Sequence, residues 1–233
     1  MTDDDWNQWY SEFAATWPPR VQALIDSRPD LNSNELNSGF MWRQQRQYVP
    51  VPPQALDRCS RPVQDDISWL VEALRDERRW SVARMAQLAG SVPEALLEPM
   101  VTSAAEAEDP SLNLLLIRPC VQSFGAQRVK EYLVFLAESA DPRRVVGATD
   151  AMYWTGHGAE GGDLFERRKS FLLEACFSEI STYVRERILA LLTGHGTRPL
   201  DESLFPASQK ELVERAQALW DEIIRKADES RSC

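Results

Sequence analysis

Asp76 to Gly90 reads DERRWSVARMAQLAG, and Asp141 to Gly156 reads DPRRVVGATDAMYWTG. Both begin with aspartate and carry arginine three residues on (Arg79, Arg144). Alanines then follow at seven and ten residues (Ala83 and Ala86; Ala148 and Ala151). Both run into a glycine suited to the left-handed turn that ends many helices. A third stretch, Tyr183 to Gly194 (YVRERILALLTG), fits the later half of the pattern through Val184-Arg185 and Ala190-Leu191. Gly90, Gly125, Gly156 and Gly194 lie 35, 31 and 38 residues apart. A period of that size, with room for two helices in each unit, is the signature of stacked helix pairs.

Outward from these segments the chain reads as helix after helix. Apolar residues recur at three- and four-residue spacing, and no run alternates with the period of two that a strand needs. The pattern predicts helices at 65–75, 77–89, 92–106, 110–123, 126–139, 142–154, 164–178, 181–193 and 207–229. Asp109-Pro110 and Asp141-Pro142 supply N-cap acceptors before a proline at the first helical position. Ser91 with Glu94, and Ser208 with Glu211, have capping-box spacing.

The repeated segments resemble the second helix of HEAT repeats: an acidic start, Val-Arg, then small residues at helical spacing. The resemblance covers roughly residues 65–194, and Asp109 to Gly125 keeps only the length. It implies an all-α fold, a short α-solenoid of antiparallel helix pairs. One pair cannot bury its apolar face alone; stacking covers it, and alanines allow close approach. The turn aspartates and arginines are expected to pair between adjacent units. The last helix, 207–229, has the stripe Leu212, Ala216, Leu219 and Ile223 of a C-terminal cap. Residues 1–62 read as a tryptophan-rich extension packed on the repeat body 63–233. A helix over Asp5–Trp17 serves as the N-terminal cap, a short one follows over Arg20–Asp26, and a long connection spans 27–62, made extended by Pro50, Pro52 and Pro53.

Composition narrows the function. The 233 residues carry a formal net charge of −10, which repels nucleic-acid backbones and anionic lipid and favours a basic partner. The same charge also serves plain solubility. Met1 to Trp6 (MTDDDW) lacks the basic and apolar regions of a secretory signal, and no stretch approaches the ~20 apolar residues of a membrane helix. Cys59, Cys120, Cys176 and Cys233 are widely spaced and are expected to be reduced thiols, Cys120 and Cys176 as small core residues, in a cytoplasmic protein.

Catalytic candidates are few. The two histidines sit in identical tetrapeptides, Thr155-Gly156-His157-Gly158 and Thr193-Gly194-His195-Gly196. A metal or proton-transfer site would use His157 with Glu160 and Asp163. The simpler reading is two equivalent helix ends, with Gly156 to Asp163 as an inter-helix loop. No cofactor is implied. Basic clusters at Arg78-Arg79, Arg143-Arg144 and Arg167-Arg168-Lys169 would grip nucleic acid if they lined one groove, as in the alkylpurine DNA glycosylases of HEAT-like fold. Their interspersed acids argue against it. Trp69, Trp80, Trp154 and Trp220 are expected to pack between helices.

Since HEAT-like arrays are chiefly protein-binding scaffolds, the reading is a non-catalytic interaction module for another, basic, protein. A narrower form is an inhibitor or immunity-type protein. The alternatives are a groove-based enzyme or small-molecule carrier, comparable to HEAT-like lyases that handle a bilin, and a nucleic-acid binder. By analogy of fold, the contact surface is the inner row of second helices, including Arg84, Arg118 and Asp150, with the 156–163 loop.

Overall fold

A computed structural model describes residues 4, 7–8, 11, 53–76, 78–107, 113–156, 158–194 and 199–231. Among these, every regular element is helical. Ten α-helices follow one another: α1 (Pro53–Ser60), α2 (Gln64–Ala73), α3 (Arg79–Ala89), α4 (Leu97–Ala105), α5 (Asn113–Phe124), α6 (Ala126–Ala137), α7 (Pro142–Met152), α8 (Gly158–Ala175), α9 (Thr182–Leu192) and α10 (Lys210–Arg231).

All nine helices expected beyond residue 63 are present. Gly90, Gly125, Gly156 and Gly194 each take positive φ (70°, 82°, 82° and 58°), as the sequence pattern requires. Asp141 caps α7: its Oδ1 accepts the Arg143 amide at 2.9 Å, and Pro142 occupies the first turn. The other expected caps differ. Glu94 opens a 3-10 turn, Glu94–Leu96, behind Pro93 and pairs with Arg128, so Ser91 and Glu94 form no capping box. A 3-10 turn at Ala207–Gln209 precedes α10. Asp109-Pro110 lies outside the described residues.

Two segments depart from expectation. Part of the connection placed at 27–62 is helix: α1 starts on Pro53, whose fixed φ suits a first helical position. The rest of that connection, and the helix expected at Arg20–Asp26, lie outside the described residues. Of the expected Asp5–Trp17 helix, Asn7, Gln8 and Ser11 are described and helical. Trp69 Nε1 donates to Asn7 Oδ1 at 3.1 Å, which ties that segment to α2. The second departure is α8, which begins at Gly158 rather than near 164, so the glycine-rich stretch opens a helix instead of forming a loop.

Packing follows chain order. The main partners are α1 with α3, α2 with α3, α3 with α5, α4 with α5 and α6, and α6 with α7 and α8. Further along, α7 packs on α8 and α9, α8 on α9 and α10, and α9 on α10. The longest step is α4 with α7. There Gly147 presses on the end of α4, so that a Cβ at this position would lie 1.7 Å from the Ala105 carbonyl oxygen. The repeat alanines Ala83, Ala86, Ala148 and Ala151 are all buried, as close helix approach demands. Helix α5 carries Pro119 in its interior. The lost hydrogen bond and ring clash cost about 3 kcal/mol, and burial of Leu116, Ile117 and Cys120 around it offsets them at about 1.5–3 kcal/mol per large side chain.

Among the described residues, the buried apolar side chains form two clusters. One holds α1 to α6, with Ala148, Ala151 and Met152 of α7 and Leu164 of α8. The other holds Val145 and Val146 of α7, Leu172, Leu173 and Cys176 in and just after α8, and the apolar faces of α9 and α10. Trp69 is buried, and Trp80, Trp154 and Trp220 are half-buried against these clusters, as expected of packing residues.

Candidate functional site

The two matching segments repeat one local construction. At Asp76, Oδ1 accepts the Arg78 amide at 2.8 Å, and the Arg78 guanidinium folds back onto the same carboxylate. At Asp141, Arg143 does the same, with its amide at 2.9 Å and Nη2 at 3.1 Å from Oδ2. Burial pushes both carboxyls up, but the hydrogen bonds from the following arginine and the charges of both arginines outweigh it and hold them below their ordinary value. The aspartates therefore bind within their own turn, not across units as expected. The second arginine reaches away: Arg79 to the Ser103 carbonyl at 3.4 Å, and Arg144 to Glu106 Oε1, with Nη2 at 2.7 Å.

The carbonyls just past helix ends recur as arginine acceptors. Arg79 Nη2 donates to the Arg75 carbonyl at 3.2 Å, beyond α2. Arg187 Nη1 donates to the Ala107 carbonyl at 3.2 Å, beyond α4. Arg168 Nη2 donates to the Ser139 carbonyl at 2.7 Å, beyond α6. Arg185 Nε donates to the Cys176 carbonyl at 2.8 Å, beyond α8. Arg75, Ala107 and Ser139 stand at equal 32-residue intervals. Helix C-termini leave carbonyls without intrahelical partners and carry partial negative charge, which a guanidinium satisfies on both counts. Sequence reasoning does not single out Arg187 and weighs Arg168 only as part of a basic cluster, because a backbone acceptor leaves no letter in the sequence.

Of the residues proposed from the sequence, Arg84, Arg118 and Asp150 have described side chains, and they lie on three different helices. Arg84 is half-buried on α3, with Nη1 donating to Gln87 Oε1 at 2.8 Å. Arg118 is exposed on α5. Asp150 is shielded, with 12% of its side chain exposed, and pairs with Arg187, itself 12% exposed. It helps hold α9 to α7. Glu160 and Asp163 lie in the first turns of α8, with side chains outside the described residues. His157 and His195 also lie outside them. Their flanking threonines do match: Thr155 Oγ1 donates to the Met152 carbonyl at 2.8 Å, and Thr193 Oγ1 to that of Leu189 at 2.9 Å, both buried at helix ends.

The basic clusters are engaged internally. Arg78 and Arg143 face aspartates, Arg144 faces Glu106, Arg167 and Arg168 face Glu138, and Lys169 faces Glu166. Exposed Asp57, Asp65, Glu98, Glu131, Glu179 and Glu211 enter no ion pair among the described residues. Burial pushes the thiols of Cys59, Cys120 and Cys176 up to about 12, which keeps them protonated and unreactive. No group of His, Cys, Asp and Glu among the described residues is placed to hold a metal ion.

No family model, curated protein or solved structure matches this chain. Among the described residues no helix is long and apolar enough to cross a membrane.

Proposed function

We propose that the chain is a short α-solenoid of HEAT-like helix pairs that works by presenting its surface to a basic protein partner. The observation that supports this most is the order of packing: the described helices meet neighbours and next neighbours along the chain, and none of them packs substantially on another more than three places away. That is how stacked units bury faces that no single pair can cover. In this reading α10 closes the C-terminal end, and the segment around Asn7 closes the other.

The sign of the partner follows from how charge is divided. Arginines of the repeated turns are spent on internal acceptors, while carboxylates such as Asp65, Glu98 and Glu131 face solvent without a counter-charge among the described residues. A surface of that kind draws positively charged ligands and repels phosphate backbones.

The test is affinity capture at low and at raised salt, followed by hydrogen-exchange footprinting of the purified complex. The expected result is a basic protein released by salt, whose footprint covers the unpaired carboxylates. Failure to retain any protein at low salt, or tight binding of a short DNA duplex under the same conditions, overturns the reading.

A further inference from the structure

The two apolar clusters meet along a seam, and among the described residues the seam crosses only two helices. In α7 the crossing falls at Gly147, between Val146 of one cluster and Ala148 of the other. In α8 it falls between Leu164 of one cluster and Phe165, which packs against the other. Arg168 follows three residues on, in the stretch of α8 that belongs to the second cluster. Apolar contact is non-directional, so a seam between two clusters resists sliding less than interdigitated packing within one cluster does. Directional contacts across it then decide how the two bodies are held.

Two arginines supply those contacts. Arg168 of α8 donates to the Ser139 carbonyl at 2.7 Å and lies 3.9 Å from Glu138, both beyond α6. Arg187 of α9 donates to the Ala107 carbonyl beyond α4 and pairs with Asp150 on the far side of Gly147. Each guanidinium is braced by a ring of its own body, Arg168 over Phe171 at 4.4 Å and Arg187 over Tyr183 at 5.6 Å. Each also keeps a buried Nε without a hydrogen-bond partner. A buried donor left unsatisfied is costly, and exposure to water relieves that cost. Opening the seam would therefore lose two carbonyl contacts and the Arg187–Asp150 pair but hydrate two stranded N–H groups.

We propose that Arg168 and Arg187 form a double latch across this seam, and that its release lets α9, α10 and the C-terminal half of α8 swing as one body about Gly147. The moving part carries Glu179, Glu186, Glu211 and the long helix α10, so the latch sets the angle at which that part of the surface is offered. This inference rests on the packing alone and stands whether or not the partner is basic.

The test is hydrogen exchange followed by mass spectrometry on the full chain, comparing wild type with R168M, R187M and the double variant. Peptides from α9, α10 and the second half of α8 are expected to exchange at least about tenfold faster in the double variant, with α2 to α6 unchanged. Such a confined change is what opening of one cooperative unit gives. Equal acceleration in every helix would mean that the arginines serve general stability only, and no acceleration would mean that the seam needs no latch; either result overturns the proposal. If the double variant does not fold, R187K is measured instead. It keeps the charge but cannot reach Asp150 and the Ala107 carbonyl with one planar fork. It is expected to give a smaller acceleration in the same peptides, and a uniform or absent change in it also overturns the latch.

Discussion

Of Gly90, Gly125, Gly147 and Gly156, at helix ends and within helices, Gly147 is the one with no room for a side chain. A methyl group there would sit 1.7 Å from the Ala105 oxygen and 2.5 Å from its carbonyl carbon, both backbone atoms with nowhere to turn. Gly147→Ala is expected to cost about 3 kcal/mol, the upper end for overpacking a core, read as a lower urea midpoint. Gly90→Ala meets no atom within 4 Å and pays only for its φ of 70°, about 1 kcal/mol. Equal losses at the two positions would refute the close approach of α4 and α7. A second prediction concerns Asp76 and Asp141. Their folded carboxyls titrate below the ordinary value of 3.8, so the stability they add is full above that value and is lost as pH falls through the lowered one. The double variant D76N/D141N should therefore unfold with a flatter acid limb below pH 4 than wild type. An unchanged limb in acid titrations followed by circular dichroism would show that these turns do not carry it.

Between elements, ion pairs of similar appearance should differ in worth because their exposure differs. Arg144 and Glu106 join α7 to the end of α4 with about two-fifths of each side chain in solvent (43% and 40%). A double-mutant cycle there should give a coupling of about 0.2–1 kcal/mol. Arg187 and Asp150 are 12% exposed, and D150A alone should cost about 3–5 kcal/mol by stranding a shielded charge. A loss below about 1 kcal/mol would mean the pair is far wetter than its burial implies. This contrast also marks where the sequence is readable and where it is not. Helices α2 to α7 were legible because their apolar residues repeat visibly, and the ends of α3, α5 and α7 because glycine alone accepts positive φ at little cost. Helix α1 was hidden by its prolines, which suggest extended chain until one of them proves to be a first helical residue. The start of α8 was hidden because Gly158, Gly161 and Gly162 have no side chains with which to show a period. The inter-helix arginine ties were hidden for a different reason: their acceptors are main-chain oxygens of Ala107, Ser139 and Cys176, which any residue would supply.

For the whole molecule, the arrangement places a premium on its ends. Helix α10 covers α8 and α9 with Val213 and Ala216 fully buried and Leu212, Leu219 and Trp220 half-buried, while Lys210, Glu214, Glu222 and Lys226 pair along its solvent side. Ending the chain at residue 206 should uncover the apolar face of the second cluster and drive self-association, seen as early-eluting material in size-exclusion chromatography. A monomeric, fully folded truncation would argue that α10 is an accessory. The same helix is 22 residues long, about 33 Å at 1.5 Å per residue, twice the length of α9 beside it. From Asp221 onward only Ile223 among its described side chains is shielded. Its final turns thus project like a mast beyond the hull, and a second protein grafted in helical phase onto that mast would be carried in a fixed orientation, giving a particle large enough to image.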